Sequence, residues 1–228
     1  MTQLYHRKVR SFVQRAGRTT TAQKRALNDL LPRFGIPFQE RALDLDLVFG
    51  RRAPIVLDIG FGDGSALLTL AANHPDRDYL GIEVHEPGIG HLLLQLERAG
   101  LDNLRIVPHD AVEVVAHMLP PGQVDAVNLF FPDPWPKKRH HKRRIVQPDF
   151  VRNIALALKP RGFFHVATDW ADYAEHVVSV MAGCEQFEAL SSRQAAAEPL
   201  VDRPTSKFER RGIALGHTVT DLHFRRIA

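Results

Sequence analysis

The sequence predicts an α/β protein: a doubly wound, mainly parallel, seven-stranded sheet preceded by a basic N-terminal arm. Three observations carry this. After about residue 53, apolar β-branched runs alternate with helix-like stretches across short links, the pattern of a parallel sheet covered on both faces. The first such run leads straight into Gly60-Phe61-Gly62-Asp63-Gly64, a strand-to-helix turn open enough for a ligand to lie against bare main chain. Acidic residues then recur where successive strands end, on the rim at which open α/β sheets bind ligands.

Taken in order, residues 1–21 are rich in Arg, Thr and Gln and read as an extended arm. Thr21 to Leu31 reads as a short helix with a Thr cap, stopped by Pro32. Strands are expected at Ile55–Ile59, Tyr79–Glu83, Leu104–Pro108, Val124–Phe131 and Phe163–Thr168, with helices at 63–73, 86–99, 111–118, 148–158 and 171–183. Phe187–Leu190 and Thr218–Arg226 complete the seven strands around a polar loop. The division is a basic arm and short helix over 1–52, then one domain over 53–228.

The 228 residues are 44% hydrophobic and 25% charged, enough apolar material for a full core. The single cysteine, Cys184, excludes an internal disulfide and suits a reducing compartment. The start of the chain lacks an apolar leader, and no run approaches the roughly 18 apolar residues of a membrane helix. The expectation is a cytoplasmic protein. Its net charge of +4 conceals a segregation: residues 1–28 hold seven Lys/Arg and 137–144 hold six, with no acid in either block. The rest of the chain has 17 basic against 26 acidic residues. Such blocks suit a polyanion-binding surface.

At the glycine turn the spacing is G-x-G-x-G, and Asp63 stands where a pyrophosphate would have to approach. A helix N-terminus attracts anions, and an acid there opposes that. The turn therefore favours a cofactor without phosphate, which argues against a nicotinamide-dependent oxidoreductase. Glu83 ends the second strand about 20 residues on, placed to accept from a ribose diol. Asp110 follows the third strand and can meet the exocyclic amine of adenine; Asp58 lies in the first strand beside Gly60; Asp133 follows the fourth. Four acids without a base at the turn suit a cationic cofactor, and S-adenosyl-L-methionine, with its sulfonium and ammonium, fits. Magnesium is the weaker reading, since the acids come from different strands. His140 and His141 lack the partner spacing of a metal site, so no metal is assigned.

The densest stretch is Phe131-Pro132-Asp133-Pro134-Trp135-Pro136-Lys137-Lys138, followed by Arg139-His140-His141-Lys142-Arg143-Arg144. One carboxylate fixed among prolines can grip a flat polar ring, and the basic tail places that ring on a polyanion.

With these residues assembled, the chain resembles the bacterial tRNA (guanine-N7-)-methyltransferases, class I S-adenosylmethionine-dependent enzymes with a Rossmann-like sheet. The resemblance runs from Arg10-Ser11-Phe12 through the glycine turn, Gly81-Ile82-Glu83-Val84-His85, the Pro-Asp-Pro-Trp segment and Ala167-Thr168-Asp169-Trp170 to Ser206-Lys207-Phe208-Glu209-Arg210-Arg211-Gly212. It implies methyl transfer to N7 of guanine 46 in the tRNA variable loop. It also implies cofactor contacts by Asp58, Gly60, Glu83, Asp110 and Asp133, and substrate contacts by Lys137, Asp169, Ser206, Lys207, Phe208 and Glu209. Ser206 stands where the family usually has Thr, with Thr205 beside it; Asp58 stands where the family often has Glu. Phe208, Trp135 and Trp170 either stack on a base or pack.

N7 is a lone-pair nucleophile without a proton, so Asp133 is expected to orient guanine and offset its developing charge, not to act as a base. tRNA is the expected partner, with Lys137 to Arg144 and the arm (Arg7, Lys8, Arg10, Arg15, Arg18) on its phosphates. No obligatory protein partner and no membrane are implied. An adenine or glutamine amino-methyltransferase is the near rival, but its second proline after the acid is missing. A non-catalytic RNA-binding protein would have no need of four intact acids.

Overall fold

The computed structural model describes residues 10–12, 17–198, 200, 203–204, 209 and 218–227. Five strands run parallel: β1 (Ile55–Ile59), β2 (Asp78–Ile82), β3 (Leu104–Val107), β4 (Val124–Phe130) and β5 (Leu158–Thr168). β6 (Phe187–Leu190) and β7 (Thr220–Arg226) complete a sheet of order β3-β2-β1-β4-β5-β7-β6, with β7 antiparallel to both neighbours. The expected seven-stranded, mainly parallel sheet is the one observed.

Alternation along each strand sends side chains to two separate cores. Leu57, Ile59, Leu80, Ile82, Val127 and Leu129 join one; Val56, Tyr79 and Ala126 join the other. The first is covered by α3 (Leu45–Phe49), α6 (Ala111–His117), α7 (Pro148–Ala157) and α8 (Ala171–Ala182). The second is covered by α1 (Thr21–Asp29), α2 (Leu31–Phe34), α4 (Ser65–Asn73) and α5 (Glu86–Ala99). Both faces of β1, β2 and β4 are thus dry, which is why these strands read as continuous apolar runs.

Several details depart from the sequence expectation. α1 is capped by Thr20, whose side chain accepts from Gln23 while Gln23 returns the bond. Pro32 does not end the helical region; it occupies the first turn of α2, where a missing N–H costs nothing. β5 begins five residues earlier than expected, with an irregularity against β4 and Arg161 in the left-handed region at φ 67°. α3 is an unforeseen single turn capped by Asp44. Lys138–Arg143, within the basic tail, winds into a 3-10 turn. Residues 21–49 pack onto the sheet: Phe34 is buried, Gly35 bridges Ile106, and Leu43 N–H donates to Met118. Among the described residues, no helix is long and apolar enough to cross a membrane.

Candidate active site

The sheet order reverses between β1 and β4, and a cavity lies at the carboxyl ends of the strands there. Its wall includes Gly60, Glu83, Asp110, Phe131 and Asp133. Four of the five expected cofactor residues are therefore brought together. Among the described lining residues there is no Lys or Arg, so the cavity is set up for a cation.

The glycine turn is built from left-handed backbone, with φ of 73° at Gly60, 61° at Gly62 and 75° at Gly64. Glu83 fixes it: one carboxylate oxygen accepts from Gly62 N–H at 2.9 Å, the other from Val84 and His85 N–H at 2.7 and 3.0 Å. A carboxylate offers about four lone-pair sites, so one remains for a ligand. Gly88, in the first turn of α5, lets that helix seat against the turn: a Cβ there would lie 2.0 Å from the Gly62 carbonyl. Asp63 accepts from Ser65 N–H at 3.0 Å, placing a negative charge where a phosphate would need the amides of α4.

Asp58 is buried within β1 and does not reach the cavity wall. Burial first, then the charge of Glu83, push its carboxyl up to about 7, with a hydrogen bond from Asn128 offsetting part of this. Asp110 caps α6, accepting from Val112 N–H at 3.0 Å, while it also lines the cavity. Burial raises its pKa above the ordinary value.

The exit from β4 is strained. Phe131 and Trp135 lie in the left-handed region at φ 52° and 47°, flanking Pro132-Asp133-Pro134, and non-glycine residues hold such φ only where their surroundings enforce it. Phe131 N–H donates to Ala167 at 2.8 Å, joining the end of β4 to that of β5. The Trp135 indole donates to Ser11 at 3.0 Å, and the Arg143 guanidinium lies 3.8 Å over that indole while donating to Arg10 and Phe12 at 3.0 and 3.1 Å. Ser11 and Phe12 in turn line the cavity. Asp133 stands exposed on this braced turn.

The basic run is consequently two-sided. Lys137, Lys138, Arg139 and Lys142 are exposed, whereas Arg143 is half-buried and Arg144 is buried. The expectation that Lys137 to Arg144 all face RNA phosphate is corrected for the last two: the Arg143 guanidinium is taken by the carbonyls of Arg10 and Phe12, and that of Arg144 by the Pro134 carbonyl and the Asp172 carboxylate. Trp135 packs against Arg143 and does not present a free face on that side.

On the far side of β4, Asp169 is exposed just beyond β5, and Thr168 accepts from Trp170 N–H at 3.2 Å. Thr205, Ser206, Lys207 and Phe208 lie outside the described residues. Glu209 is buried, and both its oxygens are taken by Arg203, at 2.5 and 2.7 Å. Arg203 also donates to Asp221 at 2.8 and 3.0 Å and lies 5.8 and 5.7 Å from the ring centres of Phe130 and Phe131. His165 meets Asp221 at 2.7 Å and stacks with His223 at 4.1 Å. These three could ligate a metal geometrically, but Arg203 already bridges both oxygens of Asp221, and its positive charge opposes a cation there.

Sequence reasoning gave no role of their own to Ser11, Phe12, Gly88, Asn128 and Arg203, and assigned Arg143 and Arg144 to RNA phosphate. Only Gly88 and the arginine pair carried a local signal, the pair by abutting the apolar Ile145-Val146. The assembled arrangement can hold a cationic nucleoside among Glu83 and Asp110 and present an exposed carboxylate to a second, flat ring.

Residues 52–222 match the model of a family described as "Putative methyltransferase". A tRNA (guanine-N(7)-)-methyltransferase of Alkalilimnicola ehrlichii is 55% identical over 223 residues, covering 96% of this chain and 93% of the relative. One from Halorhodospira halophila is 56% identical over 220 residues, covering 96% and 95%. Among solved structures, the 16S rRNA methyltransferase KamB aligns with a TM-score of 0.57 at 16% identity, over 83% of this chain and 96% of that one. A 16S rRNA (adenine(1408)-N(1))-methyltransferase from Catenulisporales acidiphilia gives 0.57 at 18%, over 82% and 92%. At that identity the structural likeness concerns the fold.

Proposed function

The chain belongs to the tRNA (guanine-N7-)-methyltransferases, and from that premise we propose that it methylates N7 of guanine 46 in the tRNA variable loop, using S-adenosyl-L-methionine. The observation that carries this reading is the juxtaposition of an acid-lined cavity at the sheet's switch point with Asp133 exposed on a proline-fixed turn.

The residues present fit the cofactor. Gly60 leaves open space on its Cβ side, Glu83 keeps one acceptor site for a ribose diol, and Asp110 faces the same cavity for an adenine amine. Asp63 makes the turn hostile to phosphate, which suits a phosphate-free cationic nucleoside. When bound, S-adenosyl-L-methionine supplies an electrophilic methyl group on its sulfonium.

What the chain must then provide is alignment. Guanine N7 has no proton to lose, so no general base is needed. Asp133 accepts from the N1–H and N2–H of guanine and holds the ring flat, and its charge offsets the positive charge that methylation places on the purine. Asp169 bounds the same guanine from the β5 side. Lys137 takes a phosphate or base edge, and Lys138, Arg139 and Lys142 track the backbone while the base is splayed out. Ser206, Lys207 and Phe208 are proposed to complete the substrate contacts, with Glu209 acting through Arg203.

Asp133→Ala is expected to lower kcat/KM by about 10²-fold or more, since one positioning and charge-stabilising group is lost. Asp133→Asn should be nearly as poor, because an amide cannot offset a cation. Measured with labelled cofactor and nucleoside analysis, near wild-type N7-methylguanosine from Asp133→Ala would remove Asp133 from the chemistry.

A further inference from the structure

We propose that Arg144 is a positioning residue for the guanine site: it sets the separation between the turn carrying Asp133 and the turn carrying Asp169, and does not contact RNA. The inference deepens the guanine-N7 reading above and rests on it.

Arg144 closes a run of six basic residues, and its charge alone would place it on a phosphate. Its side chain is only 1% exposed. The guanidinium spreads over both substrate turns. Nε donates to the carbonyl of Pro134 at 3.0 Å, one residue past Asp133. Nη2 pairs with the carboxylate of Asp172 and donates to His141 Nε2 at 3.1 Å. Asp172 sits in the first turn of α8, three residues past Asp169. Beneath the fork lies the buried Tyr173 ring, 5.4 Å from the guanidinium carbon. The Tyr173 phenol is raised chiefly by burial, and it feels the charges of both Arg144 and Asp133, so all three share one neighbourhood.

The position has a physical purpose. The turn from Phe131 to Trp135 holds two non-glycine residues at positive φ, a conformation of order 1–3 kcal/mol above the common ones unless the surroundings fix it. Arg144 supplies one of those fixings from within. A planar, permanently charged fork can grip a carbonyl and a carboxylate in set directions; an ammonium cannot. Without it, the α8 end and the Asp133 turn are free to shift against each other, and a misplacement of about 1 Å can cost roughly 10²-fold in rate.

The test compares Arg144→Lys, Arg144→Gln, Asp172→Asn and a phosphate-contact comparison, Lys142→Gln, by tRNA methylation kinetics, cofactor affinity and the salt dependence of tRNA binding. Arg144→Lys should lower kcat by about 10²-fold and leave cofactor Kd within about twofold, and Arg144→Gln, which removes the charge, should leave the slope of log K against log salt unchanged. Lys142→Gln, a proposed phosphate contact, should flatten that slope by about 0.7–0.9. Asp172→Asn should lower kcat by about tenfold, and the double variant should be no worse than Arg144→Lys alone. A flatter slope for Arg144→Gln, with kcat retained in Arg144→Lys, would make Arg144 a phosphate contact. Unchanged kcat in Arg144→Lys and Asp172→Asn, or cofactor affinity falling in step with kcat, would equally overturn the proposal. If wild type yields no N7-methylguanosine, the assigned reaction fails, and the salt slope and cofactor affinity still judge Arg144 on binding alone.

Discussion

Two carboxylates at neighbouring strand ends are put to opposite uses by their surroundings. Asp133 is exposed, held by backbone geometry, and free to meet a ring; Asp58 is enclosed beside Glu83 with Asn128 as partner. Burial lifts Asp58 from 3.8 to about 7. Between those values the folded chain keeps a proton that the unfolded chain has released, so stability falls as pH rises through that window and levels above it. Asp58→Asn should abolish this fall and leave the ligand-free protein about 2–4 kcal/mol more stable than wild type at pH 8. Denaturant unfolding from pH 4 to 8 measures it, and superimposable profiles for the two proteins would count against a buried, protonatable Asp58. The four acids were legible because strand ends are legible. Their individual environments were not: Asp58 lies two residues deeper than Glu83 in the register of β1 against β2, where β1 pairs with Asn128 of β4.

At the level of elements, the segment from Lys137 to Arg144 shows what a charge run conceals. Six cations look equivalent in sequence, yet the 3-10 turn leaves four exposed, with Arg143 half-buried and Arg144 buried. Arg143 holds Arg10 and Phe12 across more than 130 positions, a pairing that no local pattern encodes. Arg143→Gln is therefore expected to raise cofactor Kd several-fold, since Ser11 and Phe12 line the cavity, with little change in the salt slope of tRNA binding. Lys138→Gln should do the reverse, flattening the slope by about 0.7–0.9. Calorimetry for the cofactor and filter binding across a salt series separate the two. Equal effects of both substitutions on both ligands would show the segment to be one undivided surface. The unforeseen α3 and the early start of β5 have a simpler cause: one helical turn, or a strand broken by Pro160-Arg161-Gly162, is too short to impose a period on the sequence.

For the molecule as a whole, charge is sorted by what each region binds, with an acidic rim at the carboxyl ends of β1 to β4 and an exposed basic stretch immediately beyond it. The alternation of strands and helices was readable because β1, β2 and β4 are buried on two faces and the helices between them on one. The place of β7, inserted antiparallel between β5 and β6, was not, because pairing over long separations leaves no local trace. Arg203 is of the same kind, joining Glu209 and Asp221 to Phe130 and Phe131. Ser11 and Arg203, from opposite parts of the chain, thus both meet the turn that carries Asp133. The most direct test is to incubate an unmodified tRNA transcript with the protein and S-adenosyl-L-methionine, then cleave the chain chemically at N7-methylguanosine. One cut at guanine 46, absent when that guanine is replaced by adenine and absent with Asp133→Ala, is the predicted result. Cuts at other guanines, or methyl incorporation without any N7-methylguanosine, would contradict it.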